Sequence, residues 1–520
     1  MTNSNIRFLS FTSLSLFVAL APLACGSDDD DTNSSSTAGK SSGGSSSTAG
    51  KSGTAGKSAG GSSTKGGAAN LGGVGTSGED ATGGEGGAPA VAKARLRVVH
   101  ASPNAPSVDI YPTGSATAVA KAVAYGQATD FIEVEAGTVA FDLRAAGAKA
   151  SVDPAFTTED LTVDGGADYT LVAAGDFDHP NDAATGFRVM ALEHDFDAPA
   201  AGTALARVVH ATSAWATVDV DVAATDGVDL PGLAPFTSES NVALPAGVTV
   251  PLDFQTDADG VLSQLTLPKL TAGNELFVIA TGNPGFPFRA PANGFALLIV
   301  DQDGKVSWVK ELPWLHLVHA SDISTVDVYE STHLTAEAKL SDNLAAQKIA
   351  AFQLPASATG FSLKAVASDQ VSGTATGLAT GATSTIEAGE HYLSYIAGNT
   401  IQTIHEQFDL LQPTKAMLRG VHASVSVAQT VDFGAVVTGA VSTVLVNGVM
   451  PAESSAEAGV AIAPGNVILG VAAHSTTVPL AQKTLTAATA PIAGERDFAL
   501  LVGTDGLWVV DTSVAGWPLR

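Results

Sequence analysis

LRVVHASPNAPSVDIY, beginning at Leu96, returns three more times along this chain: ARVVHATSAWATVDVD from Ala206, LHLVHASDISTVDVYE from Leu315 and LRGVHASVSVAQTVDF from Leu418. The repeated histidines are His100, His210, His319 and His422. Their spacing of roughly 103–110 residues is the size of a whole domain. A propeller blade repeats at about 40–50 residues, so the period speaks against that architecture.

Working outward, each repeat carries two further matching blocks. A strand ends in Val134-Glu-Ala-Gly, Leu244-Pro-Ala-Gly, Leu354-Pro-Ala or Ile462-Ala-Pro-Gly, and an apolar strand follows. The third block reads GGADYTLVAAG, AGNELFVIATG, AGEHYLSYIAG and AGERDFALLVG. There a glycine turn opens an almost continuous apolar run, which suits the centre of a packed sheet. Each repeat thus offers about seven short strands, the pattern of an Ig-like β-sandwich. The sequence therefore predicts four tandem sandwiches over 94–200, 201–313, 314–413 and 414–520. Short joints bearing Pro199, Pro313 and Pro413 predict a semi-rigid string.

With its R-V-V-H-A-S-P-x-A-P-x-V-D-[IV]-Y pattern whole in the first repeat, the chain resembles the bacterial family called domain of unknown function 4397. The resemblance spans about residues 95–515. The later repeats lose both prolines of the S-P-x-A-P segment. It implies secreted or surface-anchored β domains, and it carries no catalytic residues.

Composition narrows the partners. Acidic residues outnumber basic ones 52 to 25, for a net charge of −27. That is a poor match for phosphate backbones, so nucleic acid is excluded as a partner. The only cysteine, Cys25, follows an apolar run from Phe8 to Ala21 with Arg7 before it. Residues 1–24 read as a signal peptide, and the segment before Cys25 resembles a bacterial lipoprotein box. Cleavage after Ala21 competes with cleavage before Cys25, but the former puts Pro22 at the scissile bond. Lipidation at Cys25 would anchor the chain to a membrane. The Gly/Ser/Ala-rich stretch through 93 has little to bury and is expected to be a disordered tether. The expected place is the cell envelope, at the outer membrane or surface of a bacterium.

Candidate chemistry is sparse. Asp109, Asp219, Asp327 and Asp432 each follow a repeated histidine across a loop that can fold back. Strand alternation puts His100 on the side of Leu96 and Val98, with Arg97 opposite. A histidine on the apolar side with a nearby carboxylate predicts a buried structural pair. Ser102, Thr212, Ser321 and Ser424 suggest a triad only superficially, since nothing supplies an oxyanion hole. Asp257-Ala-Asp259-Gly260 and Asp301-Gln-Asp303-Gly304 resemble calcium loops but lack the acidic twelfth position, and read as hairpin turns. Asp176, Asp178, His179 and Asp182 cluster in the first repeat alone. Trp215 reads as either an exposed contact or a lid over one sandwich end. No catalytic residue, metal ligand set or cofactor is expected. The predicted function is a non-enzymatic scaffold for adhesion, display or binding of an extracellular protein or polysaccharide. The alternative is an extracellular hydrolase or cation-binding protein built on the His/Asp or Asp-rich loops.

Overall fold

The computed structural model describes residues 92–520 except 223–227, 257–259, 285–287, 289–293, 322, 331–337, 369, 371–375, 409–413, 487–488 and 514–520. The signal peptide, Cys25, the tether through residue 91, Asp257, Asp259 and Pro413 lie outside the described residues, while Lys93, expected to end the tether, begins the first strand. No α-helix occurs among the described residues, and the fold is all-β.

In the first repeat one sheet runs Arg188–Glu193, Asp168–Ala174, Lys93–His100, Ile132–Glu135 in spatial order. The facing sheet runs Ala120–Val123, Val108–Pro112, Phe141–Ala145, Phe156–Thr157. Leu96, Val98 and Leu171 from the first meet Ile110 and Leu143 from the second in a single apolar core. Period-two alternation makes this possible, since every second side chain points inward. The same arrangement returns with Thr203–His210, Trp314–His319 and Ala416–His422 in place of the histidine strand.

One feature of the sheet was not evident in the sequence. Each histidine strand pairs in parallel with the third-block strand, setting His100 beside Ala173, His210 beside Ala280, His319 beside Ile396 and His422 beside Leu501. The other pairings within these sheets are antiparallel, apart from one parallel contact between Thr380 and Thr400 in the third repeat.

The near-continuous apolar character of the third block has a physical cause. Leu171 and Ala173 face their own core, while Val172 and Ala174 face the second repeat. There Val99, Val172 and Leu192 pack against Val209, Phe277, Ile279 and Leu298. The third and fourth repeats meet the same way, with Val318, Leu393 and Tyr395 against Met417, Val421, Phe498 and Leu500. The expected string is therefore two face-to-face pairs.

Polar groups fix these contacts. Arg97 is 1% exposed. It donates to Thr170 Oγ1 at 2.8 Å and to Asp301 O of the second repeat at 2.7 Å. Arg419 does the equivalent work, donating to His405 O and Gln407 O with Phe408 and Phe498 under its guanidinium. Trp308 packs on Tyr125 at 5.3 Å, above Gly126. Between the second and third repeats, buried Glu311 accepts from Ser263 Oγ and Trp314 Nε1, and lies 3.4 Å from His391 Nε2. Thus Trp308 and Trp314 are joint residues, and Trp508 packs at the edge of the contact between the last two repeats.

Candidate functional site

The four histidines end their strands with the ring turned into the sandwich, each at most 1% exposed. None bonds the aspartate that follows it. Each ring instead reaches the carbonyl of its own loop: His100 Nε2 to Pro106 O at 3.2 Å, His210 to Ala216 O at 3.1 Å, His319 to Ser324 O at 3.3 Å and His422 to Gln429 O at 3.1 Å. A carbonyl only accepts, so each ring donates through Nε2–H. Burial lowers the pKa of all four rings below the usual histidine value, partly offset by the loop hydrogen bond.

The aspartates have a different task, which corrects the expected His–Asp pair. They lie on the facing sheet, opposite a bulge in the neighbouring strand. Asp109 Oδ1 accepts from Ala122 N, Asp219 from Gly232 N, Asp327 from Asn343 N and Asp432 from Gly448 N, at 2.7–2.8 Å. Each donor residue has positive φ, between 52° and 71°. A bulge leaves its extra residue outside the ladder, so a carboxylate one strand away satisfies the orphan N–H. The sequence signal was present but misread. An aspartate in a strand of alternating valines marks a bulge as readily as a histidine partner.

The small hydroxyls complete the set. Ser102 Oγ donates to Gly175 O at 2.7 Å and Thr212 Oγ1 to Gly282 O at 2.9 Å, while Ser424 donates to Gly503 O. Those glycines end the third-block strands with positive φ. Ser321 departs from this and accepts from Ile323 N. The His-Ala-Ser phrase thus pins a loop and the end of the adjacent strand. These atoms do not assemble a Ser-His-Asp triad.

The graded partners of the aspartates give a prediction. Asp432 is 2% exposed and accepts from Gly448 N, Ser475 N and His474 Nδ1. Asp432→Ala should lose about 1–3 kcal/mol by orphaning buried donors. Asp219 is half-buried and accepts from Gly232 N, so Asp219→Ala should cost less. Urea unfolding of the two variants checks the order.

The acidic loop of the first repeat is internally bonded. Asn104 Nδ2 donates to Asp176 Oδ1 at 2.6 Å and Asp178 Oδ2 at 3.0 Å. Asp182 accepts from Ala184 N and Thr185 N, and His179 Nδ1 lies 2.8 Å from Asp176. The hydrogen bond with Asp176 raises the His179 pKa. Asp301 Oδ1 accepts from Asp303 N and Lys305 N, which makes 301–305 the expected hairpin turn. Among the described residues, the convergence of three acidic ligands occurs elsewhere, at buried Glu495, Asp497 and Asp511. Glu495 immediately precedes the strand Arg496–Val502 that carries Asp497, and Asp511 pairs with Asp497 across the ladder. The sequence signal for this convergence is the i, i+2 spacing of Glu495 and Asp497. Glu495 accepts from Ile492 N, and Asp511 accepts from Ser513 N.

Of its two readings, Trp215 takes that of a lid. Its ring lies 4.3 Å from Phe295 and 6.0 Å from Phe254 at the core edge. Ala105, Ile323 and Val427 plug the corresponding places in the other repeats.

Residues 94–221 match a family described as a domain of unknown function, DUF4397. The match covers the first repeat and ends at Asp221, within the aspartate strand of the second. No curated protein matches the chain.

Proposed function

We propose that this protein is a non-enzymatic cell-envelope lipoprotein that displays four copies of the family domain, anchored through lipid at Cys25. The observation that carries the reading is the use made of the repeated polar residues. Histidines bond loop carbonyls and aspartates bond bulge N–H groups. What repeats is therefore spent on holding the fold, and what varies is the loop at each sandwich end. GDFDHPND in the first repeat corresponds to GNPGFP, GNT and GTDG in the others. Variable loops on a rigid frame are where recognition resides. Several weak sites on one anchored chain gain avidity, which suits adhesion to, or binding of, an extracellular protein or polysaccharide.

Metabolic labelling with a palmitate analogue tests the anchor. The wild type should be labelled and held in the membrane fraction, whereas Cys25→Ser should be unlabelled and released. Equal release of both would refute the anchoring. Turnover of a hydrolase substrate by the purified chain, abolished by Asp178→Asn with the fold intact, would overturn the non-enzymatic reading.

A further inference from the structure

We infer that the first repeat binds an extended peptide by strand addition, along the outer edge of Arg188–Glu193. This rests on the reading of the chain as a binding scaffold, and gives it a place and a ligand class.

Every sandwich has a seam where the last strand of one sheet faces the last strand of the other. In the second repeat the chain fills that seam itself. Val306–Lys310 pairs antiparallel with Ala296–Asp301, and its continuation bridges to the facing sheet through Leu265 and Glu311. In the third, Ala379–Ala382 and Thr400–His405 meet directly through Thr380 and Thr400. In the fourth, Pro479–Leu485 lies against Gly506–Asp511, with Ala481, Leu485, Leu507 and Val509 in one core. Only the first repeat leaves it open among the described residues, as a groove of about 540 Å³.

The open edge is ready to pair. His194 N donates to Asp168 O, which sets the alternation along the strand. The N–H and C=O groups of Val189, Ala191 and Glu193 consequently point away from the sheet. They correspond to Leu297, Ile299 and Asp301, whose partners in the added strand of the second repeat include Val309 and Ser307. Val309 is buried in that repeat's core. The matching place in the first repeat is floored by Phe156, Phe187 and Val189 and is empty of any such side chain. The rim carries Glu159, Asp160 and Asp182. The one rim cation, Arg188, is turned onto Ala183 O, Gly186 O and the Phe236 ring. The ligand this fits is an extended segment with a β-branched apolar residue over the phenylalanines and lysine or arginine flanking it. Main-chain bonds would supply affinity and the alternate side chain specificity.

A fluorescein-labelled peptide Lys-Val-Ser-Ala-Val-Lys, titrated into the full-length protein and followed by anisotropy, tests this. Saturable binding is expected. It should weaken at least about tenfold when alternate peptide nitrogens are methylated, because the ladder donors are lost. Ala191→Pro should weaken it similarly while melting like the wild type, since an edge position facing outward gives up no existing ladder bond. Glu159→Lys with Asp160→Lys should weaken it as well. The methylated peptide leaves the protein untouched, so the test survives a misfolded variant. Absence of saturable binding at millimolar peptide, or equal binding of the methylated form, would overturn the inference. Either result leaves the palmitate labelling at Cys25 as the separate test of the anchored display reading.

Discussion

Phe277→Ala should destabilise the first two repeats by about 3–5 kcal/mol, the cost of removing a fully buried phenylalanine that cannot be replaced by collapse. Phe277 is 1% exposed, although it points away from its own sandwich core. It is enclosed by His194 at 4.8 Å, Phe196 at 5.7 Å and the Arg97 guanidinium at 5.3 Å from its ring centroid, all contributed by the first repeat or the joint. Truncation leaves a cavity in the face between the repeats, and also strips the aromatic partner from Arg97. Two measurements check it. Guanidinium unfolding should show the early part of the transition shifted to lower denaturant. Amide exchange at Val99 and Val172, which share the contact, should accelerate more than exchange at Leu143 in the first core. A loss below about 1 kcal/mol, with unchanged exchange, would mean that the repeats behave as independent beads.

The pairing explains where sequence reading stopped short. Strand alternation was enough to find the sandwiches, because inward residues such as Leu96, Val98, Ile110 and Leu143 recur every second position. It also put Arg97 on the face opposite His100. It did not reveal that this second face is buried too, since a continuous apolar run such as YTLVAA carries no label for what covers each side. Arg97, Arg207, His316 and Arg419 occupy one repeated position. Polar residues carry no sequence mark of burial there, yet all four are at most 8% exposed. Long polar side chains can be buried when backbone carbonyls and aromatic rings take their donors, as happens around Arg419. The aspartates illustrate another limit. Their partners are backbone N–H groups at positive φ, which Gly232, Gly448 and Asn343 could have signalled but Ala122 could not. The open seam of the first repeat was invisible for a related reason. Its evidence is the presence of a strand, Val306–Lys310, in a different repeat.

Acidification should begin to destabilise this protein below about pH 6.5, above the carboxylate range, and the repeated histidines supply the reason. Burial lowers the pKa of His100, His210, His319 and His422 from the ordinary 6.5. His194, buried and close to Arg97, is pushed down to about 4. Each folded-state pKa lies below the unfolded one, so the unfolded chain binds more protons between the two. Stability from these rings is therefore complete above about pH 6.5 and declines as the pH falls towards the folded pKa values. Each ring contributes at most about 1.4 kcal/mol per pH unit below about pH 6.5, and His194 goes on contributing down to about pH 4. Two substitutions at His319 separate the roles of proton and hydrogen bond. His319→Ala removes the donor to Ser324 O, and should cost about 1–3 kcal/mol even at pH 7.5. His319→Gln offers an amide donor without a titrating group. It should sit between the wild type and alanine at pH 7.5, and lose one proton's share of the slope on acidification. Urea unfolding at pH 7.5, 6.0 and 5.0 reads both effects. Parallel slopes for the wild type and glutamine variant would show that His319 is not among the groups that titrate on unfolding.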